Sequence, residues 1–580
     1  MTKASHPWRV HLGLALAALW PVLLAPHRQM VGHPDADVWN HAWGPWWFWE
    51  NLRSFSLPWE TQLLKGPDGG VLWFIDPYAG LIGMLPVGIL GVYFAYNLVL
   101  VVYLTITSWA AARLASRIAG HGLHTLAASV SVLFGPYLLS EVHNGISEAC
   151  NLAPTILALT AAHDAFQNNK RKDWLLLGLF LGLTALGSLY YLLGVSIVIG
   201  VWGCFWLIQK PQVEALKNAL LSTLTASVLI APLLWVMQKS VLADNAIVER
   251  GNDAAVDLLQ IHNAVDPRTY FWPGGFQSVD LAAQGEAFLH SGYIGWSILI
   301  LAAIGVHRLR LWRWCTAIGV LLVLGLGSRL YWGDAWVVND QSQTYVLPYH
   351  LLEELLPPQA ITHSLRVAMP ALLLLGALAA AGLAKRSRRV TLGVLIAIPL
   401  EMIWIGGSPW PPERTEALDT RAAQHITKSP HEGMILDLPG AVGNTMATSQ
   451  YLIYQTHTGR PIPYGPDARL SASAKELPEN LFSVLALASE HRENHRDPLT
   501  QKVRELVQLD ARALQQRNIQ WIVVHRDLER GGEHIALTES ILEAMLGKPE
   551  VIGQKAIYKN APLSEVPLSE AWKKELISNP

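Results

Sequence analysis

Asp35 and Asp37 stand two residues apart in Gly32-His33-Pro34-Asp35-Ala36-Asp37, with His33 and His41 flanking them. Two carboxylates at this spacing can share a divalent cation such as Mg or Mn, or one can take a proton while the other orients it. The same pair also suits a structural role, with Asp35 capping a helix that starts near Val38 and Asp37 complementing its dipole. A second acidic group, Glu141, His143 and Glu148, falls in a short turn between two apolar runs. There it can steady a substrate hydroxyl, hold a metal, or simply face water. Asp76, directly before Pro77, reads as a helix cap or a further polar contact. Arg366 opens another apolar run, with His363 just ahead of it. A guanidinium at such an edge pairs bidentately with phosphate oxygens, or snorkels toward lipid headgroups. Arg250 and Arg268 are weaker candidates for the same task.

The elements that must position these side chains are membrane spans. The chain has 580 residues, 51% hydrophobic and only 15% charged, against about 25% charged in soluble chains. Apolar runs of about 16 to 22 residues recur through the first two thirds, the length of a bilayer-crossing helix. They fall near 10–26, 92–112, 122–139, 149–166, 174–189, 190–208, 218–237, 291–306, 315–331, 365–384 and 390–407. The piece at 78–91, broken by Pro86, reads as re-entrant or interfacial. With the N-terminus in the cytoplasm, Arg113 and Arg117, Lys170-Arg171-Lys172, Arg308, Arg310, Arg313 and Lys385 to Arg389 all land on the inner side, as the positive-inside rule requires. Counting 78–91 as a span would invert the later loops. The first run, with no small-residue cleavage pattern after it, is expected to be an uncleaved span.

The fold class expected is therefore an α-helical polytopic membrane protein of about eleven transmembrane helices, followed by a soluble α/β domain. The membrane domain covers 1–407, with outer loops 27–77, 238–290 and 332–364. The remainder, 408–580, is an extracytoplasmic domain reached through the stiff Pro409-Trp410-Pro411-Pro412. Strands are expected at Met434–Leu438, at Ile519–Val524 and from Val551 to Tyr558, with helices near 444–457, 498–516 and 535–547. Seven of the 24 tryptophans lie between Trp39 and Trp73, so Trp39 to Trp49 is expected to be an interfacial helix kinked by Pro45. Cys150, Cys204 and Cys315 lie in apolar runs as small buried hydrophobes, without disulfide or zinc spacing. No basic patch points to nucleic acid.

Several segments together resemble the GT-C-type membrane glycosyltransferases, in particular bacterial members with an extracytoplasmic C-terminal domain. They are Asp35 and Asp37 after the first span, the Trp-rich helix, Phe134-Gly135-Pro136-Tyr137 leading to Glu141 and His143, Leu186-Gly187-Ser188-Leu189-Tyr190-Tyr191, and Leu365-Arg366-Val367-Ala368-Met369-Pro370. Ile435-Leu436-Asp437-Leu438-Pro439 and Trp521-Ile522-Val523-Val524-His525-Arg526 add to the likeness. The resemblance implies an inverting sugar transfer from a polyprenyl-phosphate donor to a glycan, lipid or protein acceptor, on the outer face of the bacterial inner membrane. It implies a catalytic base in the first outer loop, at Asp35 or Asp37, and in some members a divalent cation. His33, His41, Asp76, Glu141, His143, Glu148, His363 and Arg366 are the candidate substrate contacts. Membrane lipids, and a protein partner of the C-terminal domain, are the other expected partners. A non-catalytic scaffold of the same fold is the alternative. A transporter fits less well, because the spans carry almost no mid-membrane charge except Glu401 and show no repeat.

Overall fold

The computed structural model describes residues 6–209, 213–242, 262–272, 287–333, 335–356, 361–439, 449–465, 518–528 and 546–560, with a few isolated positions besides. The chain divides into two compact units, one of residues 1–49, 75–236 and 250–416, the other of 50–74, 237–249 and 417–580. The helix expected at 498–516 lies outside the described residues, as does most of 535–547.

The first unit is helical. Its helices are α1 (Trp8–Ala18), α2 (Val38–Arg53), α3 (Pro77–Leu90), α4 (Val92–Ala119), α5 (Leu126–Leu133), α6 (Pro136–His143), α7 (Ser147–Cys150) and α8 (Ala153–Asn168). They continue through α9 (Arg171–Gly187), α10 (Leu189–Gln209), α11 (Val213–Leu242), α12 (Trp296–Leu309), α13 (Trp312–Leu324), α14 (Ser364–Leu383) and α15 (Arg388–Leu400). Every expected span position holds a helix. By length and apolarity, however, four helices qualify as membrane spans among the described residues: Val92–Ala119, Leu189–Ile208, Leu216–Ser240 and Ser364–Leu383. A fifth arises if Leu123–Leu133 and Pro136–His143, bent by 43° at Gly135-Pro136, count as one. The other runs break early, because glycines, prolines and polar residues end their helices before about 18 residues.

Burial sorts these helices. α14 is buried along almost its whole length and is apolar all round, so it forms the centre of the unit. α11 instead exposes Leu216, Leu220, Leu224 and Val228 along one stripe, and α3 exposes Leu81, Leu85 and Ile89, which suits contact with lipid. Cys204 and Cys315 are exposed on such outward faces rather than buried; only Cys150 is internal. Glu401, the one acidic residue deep in the last apolar run, accepts hydrogen bonds from the Trp296 and Ser297 backbone N–H groups at 2.6 and 3.1 Å and from the Tyr293 hydroxyl at 3.1 Å. It thus satisfies the open N-terminus of α12.

The Trp-rich α2 departs from expectation. Trp39, Trp43, Trp46 and Trp47 are all at most 4% exposed, so the helix is a core element and not a belt at the lipid headgroups. Trp43 and Trp47 stack with ring centroids 5.6 Å apart. Glycines of α3 admit the rest of the helix: a Cβ at Gly80 would meet Phe48 at 2.6 Å, and one at Gly83 would meet Pro45 at 2.8 Å.

A two-stranded antiparallel sheet joins β1 (Gln29–Val31) to β2 (Arg414–Glu416). The second unit carries a four-stranded sheet of β3 (Met434–Leu438), β4 (Ile519–His525), β5 (Glu550–Ile552) and β6 (Lys555–Lys559), in the order β3-β4-β6-β5. β3 and β4 run parallel and the other pairs antiparallel. The run expected as one strand, Val551 to Tyr558, is a hairpin: Gly553, at φ +60°, turns the chain between β5 and β6. Two helices, α16 (Arg421–Thr427) and α17 (Gln450–Thr458), complete the described part. The segment before Pro67 belongs to this unit: the Lys65 and Gly66 N–H groups donate to Tyr464 and Ile462, and Leu63 O accepts from Ile462 N–H at 2.9 Å.

Candidate active site

The loop Gly32–Asp37 is pinned to the turn after α6. The His33 N–H donates to His143 O at 2.7 Å and the Asp37 N–H to Asn144 O at 3.0 Å. Gly145, at φ +73°, sits so close to α2 that a Cβ there would lie 2.5 Å from Val38 Cα. From α4, Asn97 holds β1 through Val31 N–H and Gln29 O, and the Tyr96 hydroxyl reaches Gly145 O at 3.2 Å. These contacts bring the start of α2 against α6 and α7.

Six of the candidate residues meet there. Arg366, 7% exposed near the start of α14, donates from Nη1 to Glu148 Oε1 and from Nη2 to Glu141 Oε2, each at 3.3 Å. Its two terminal nitrogens are thus turned inward to two glutamates. His41 Nε2 lies 3.5 Å from Glu148 Oε2. His41 Nδ1 is 3.0 Å from the Ser147 hydroxyl, which itself donates to Asp76 Oδ2. Asp76 also accepts from Tyr103 O–H at 2.8 Å and caps α3 through the Ala79 N–H at 3.0 Å. Asp37 completes the group, coupled through space to His41, Glu148, Arg366 and Glu141.

The hydrogen-bond chain dictates where protons sit. Ser147 gives its single proton to Asp76, so it must accept one from His41 Nδ1. In a neutral ring Nε2 is then an acceptor, yet it faces a carboxylate oxygen. His41 and Glu148 therefore hold one proton between them. Burial holds the His41 imidazole below its ordinary pKa and the Glu148 carboxyl above its own. Burial thus draws the two groups' proton affinities toward each other, which suits a proton shared between them. Burial likewise raises Asp37 and Asp76.

Exposure separates the carboxylates. Asp76, Glu141 and Glu148 are at most 4% exposed, while Asp37 stays half-buried and is the carboxylate of this group with surface left for a substrate. Asp35 is also half-buried, and its backbone N–H donates to His33 Nδ1 at 3.1 Å. The His33 and His143 rings lie 5.3 Å apart, tilted by 35°, and His143 Nε2 is 3.0 Å from Ala287 O. His363 Nδ1 lies 3.2 Å from the Tyr190 hydroxyl, and the Tyr190 ring lies 5.9 Å from the Arg366 guanidinium carbon. Among the described residues, no three His, Cys, Asp or Glu side chains converge on a point that could hold a metal ion, Asp35 and Asp37 included.

Ser147 and Tyr103 were not singled out by sequence. The Tyr137 hydroxyl donates to Tyr191 at 2.9 Å, and Tyr191 to Ala149 O at 2.7 Å, bracing α7 against α10. The usable signal was a polar ring in the middle of an apolar run, as at Tyr103.

No protein-family model and no curated protein matches this chain. Among solved structures, the arabinofuranosyltransferase AftD from Mycobacteria matches with a TM-score of 0.51 at 16% identity, over 96% of this chain. The present chain spans only 39% of that protein's length. The oligosaccharyltransferase of Archaeoglobus fulgidus matches at 0.46 and 9% identity, over 92% of this chain and 69% of the other. The likeness to AftD is one of fold.

Proposed function

We propose that this chain is a membrane glycosyltransferase. It moves a sugar from a polyprenyl-phosphate donor to a glycan, lipid or protein acceptor at the extracytoplasmic face of the bacterial inner membrane. The observation that carries the reading is the buried acidic cluster around Arg366, built at the end of the first outer loop in a GT-C-type fold. Asp37 is the catalytic base, as the carboxylate of the cluster with accessible surface. It takes the acceptor hydroxyl's proton as that oxygen attacks the anomeric carbon, and the phosphate leaves with the electron pair of the broken C–O bond. Attack opposite the leaving group inverts the anomeric centre. Arg366 supplies the positive field that meets the charge developing on the phosphate, with Tyr190 and His363 beside it.

The organisation read from sequence belongs to this proposal, with eleven spans, the N-terminus inside and 408–580 outside. The test is transfer of radiolabelled sugar from a panel of polyprenyl-phosphate donors by the purified protein in nanodiscs, with and without manganese. Asp37→Asn is expected to abolish transfer and Asp35→Asn to retain it. Full turnover by Asp37→Asn would end the assignment. The sealing of Asp76, Glu141 and Glu148 also suits a non-catalytic scaffold, and on that reading no donor in the panel turns over.

A further inference from the structure

The second unit holds a polar pair that the transfer chemistry does not use. Asp437 is the penultimate residue of β3 and His525 the last of β4, so both stand at the carboxyl end of the parallel strand pair, where open α/β sheets place their ligands. His525 Nε2 is 2.7 Å from Asp437 Oδ1, and the two side chains are 1% and 4% exposed. The carboxylate can only accept, so Nε2 carries the hydrogen and Nδ1 is left with a lone pair. That nitrogen is buried and has no hydrogen-bond partner. Burial keeps the ring neutral, holding its pKa below the ordinary value. Tyr451 and Tyr454 clamp the ring with centroids 4.7 and 4.8 Å away.

A cavity of about 20 Å³ opens against this histidine, enough for one water-sized group. Lys555 lines it too, its ammonium paired with Asp527 and placed 5.1 Å from the centre of the Tyr454 ring. The rest of the wall is largely apolar, from Ala422, Ile435 and Ile462. The group that satisfies such a site must donate to one nitrogen and accept from an ammonium. A hydroxyl does both, whereas an anion is disfavoured by the two aspartates and a second ammonium has nothing to accept with. An apolar wall beside a tyrosine ring suits the C–H faces that carry hydroxyls on a sugar ring.

We infer that the second unit is a saccharide-binding module, in which one sugar hydroxyl enters this cavity, donates to His525 Nδ1 and accepts from Lys555. The inference stands apart from the transfer reaction and names a separate place for a glycan to be held.

The full-length protein in nanodiscs is titrated with methyl glycosides of glucose, galactose, mannose and arabinofuranose, and with their short oligomers. Binding is read by saturation-transfer difference NMR. At least one probe is expected to bind. His525→Gln is expected to weaken it about tenfold, the cost of one buried hydrogen bond. Ala422→Val fills the cavity without touching the Asp437–His525 pair, and is expected to weaken binding as much with an unchanged melting temperature. Absence of binding by every probe, or binding that survives both substitutions, would overturn the inference and leave a cavity that holds water only. Saccharide binding in a protein that turns over no lipid-linked donor would keep this inference and end the transferase reading; turnover without such binding would do the reverse.

Discussion

Asp35 and Asp37 differ in their neighbours more than in their chemistry. Asp37 feels the charges of His41, Glu148 and Arg366, while the Asp35 backbone N–H is tied to His33 Nδ1. Loss of the Asp37 carboxylate should therefore cost about 10²- to 10⁴-fold in turnover, the usual share of a positioned general base. Asp35→Asn should behave as an ordinary surface substitution in the same transfer assay. The raised Asp37 pKa fixes a sign. Only the ionised carboxylate accepts a proton, so the rate should fall on acidification through a pKa above the ordinary aspartate value of about 3.9. A pH–rate profile checks this, and an acid limb at or below that value would contradict it. Sequence identified Asp37, His41, Asp76, Glu141, Glu148 and Arg366 because charge at the end of an apolar run is conspicuous. It does not separate Asp35 from Asp37, since their surroundings are set by tertiary contacts such as Asp37 N–H to Asn144 O. Ser147 and Tyr103 escaped because an uncharged hydroxyl costs little where it stands.

At the scale of elements, the site depends on how closely α2 meets the turn after α6. Gly145→Ala places a methyl group 2.5 Å from Val38 Cα at a left-handed φ, so the start of α2 must shift. Transfer should fall sharply while the protein still inserts and purifies, as measured by turnover per folded molecule. Arg366 ties α14 to α6 and α7. Arg366→Leu leaves Glu141 and Glu148 buried without their cation, and should cost about 3–5 kcal/mol of stability, read as a lowered melting temperature. Helix positions were legible because apolar periodicity is strong over long runs. Helix lengths were not, because an apolar run such as 122–139 reads as one span although its helices bend by 43° at Gly135-Pro136. The tryptophans of α2 misled for a related reason. Composition says that indoles favour the interface, but the α3 glycines that let this helix approach closely, Gly80 against Phe48 and Gly83 against Pro45, lie more than thirty residues away. Gly553 in the midst of a β-branched run was the signal for the β5–β6 turn.

At the scale of the whole chain, residues 50–74 and 237–249, expected as parts of outer loops, group with residues 417–580 in one compact unit. The Lys65 loop pairs by backbone with Ile462 and Tyr464, so its sequence serves an edge that only the distant C-terminal half supplies. The β1–β2 sheet has a different consequence. Gln29–Val31 and Arg414–Glu416 are hydrogen-bonded neighbours, so the chain that leaves one must return to the same side of the bilayer to form the other. Whatever the number of crossings between them, it is even. The backbone bond from His33 to His143 O, and those joining Asn144 to Leu289, impose the same parity on two inner stretches of chain. A reading with α3 as one additional span violates it in the first stretch. Reporters fused after residue 31, in the turn at residue 144 and after residue 416 should all register one compartment. A single odd result would force either a different pairing or a different count.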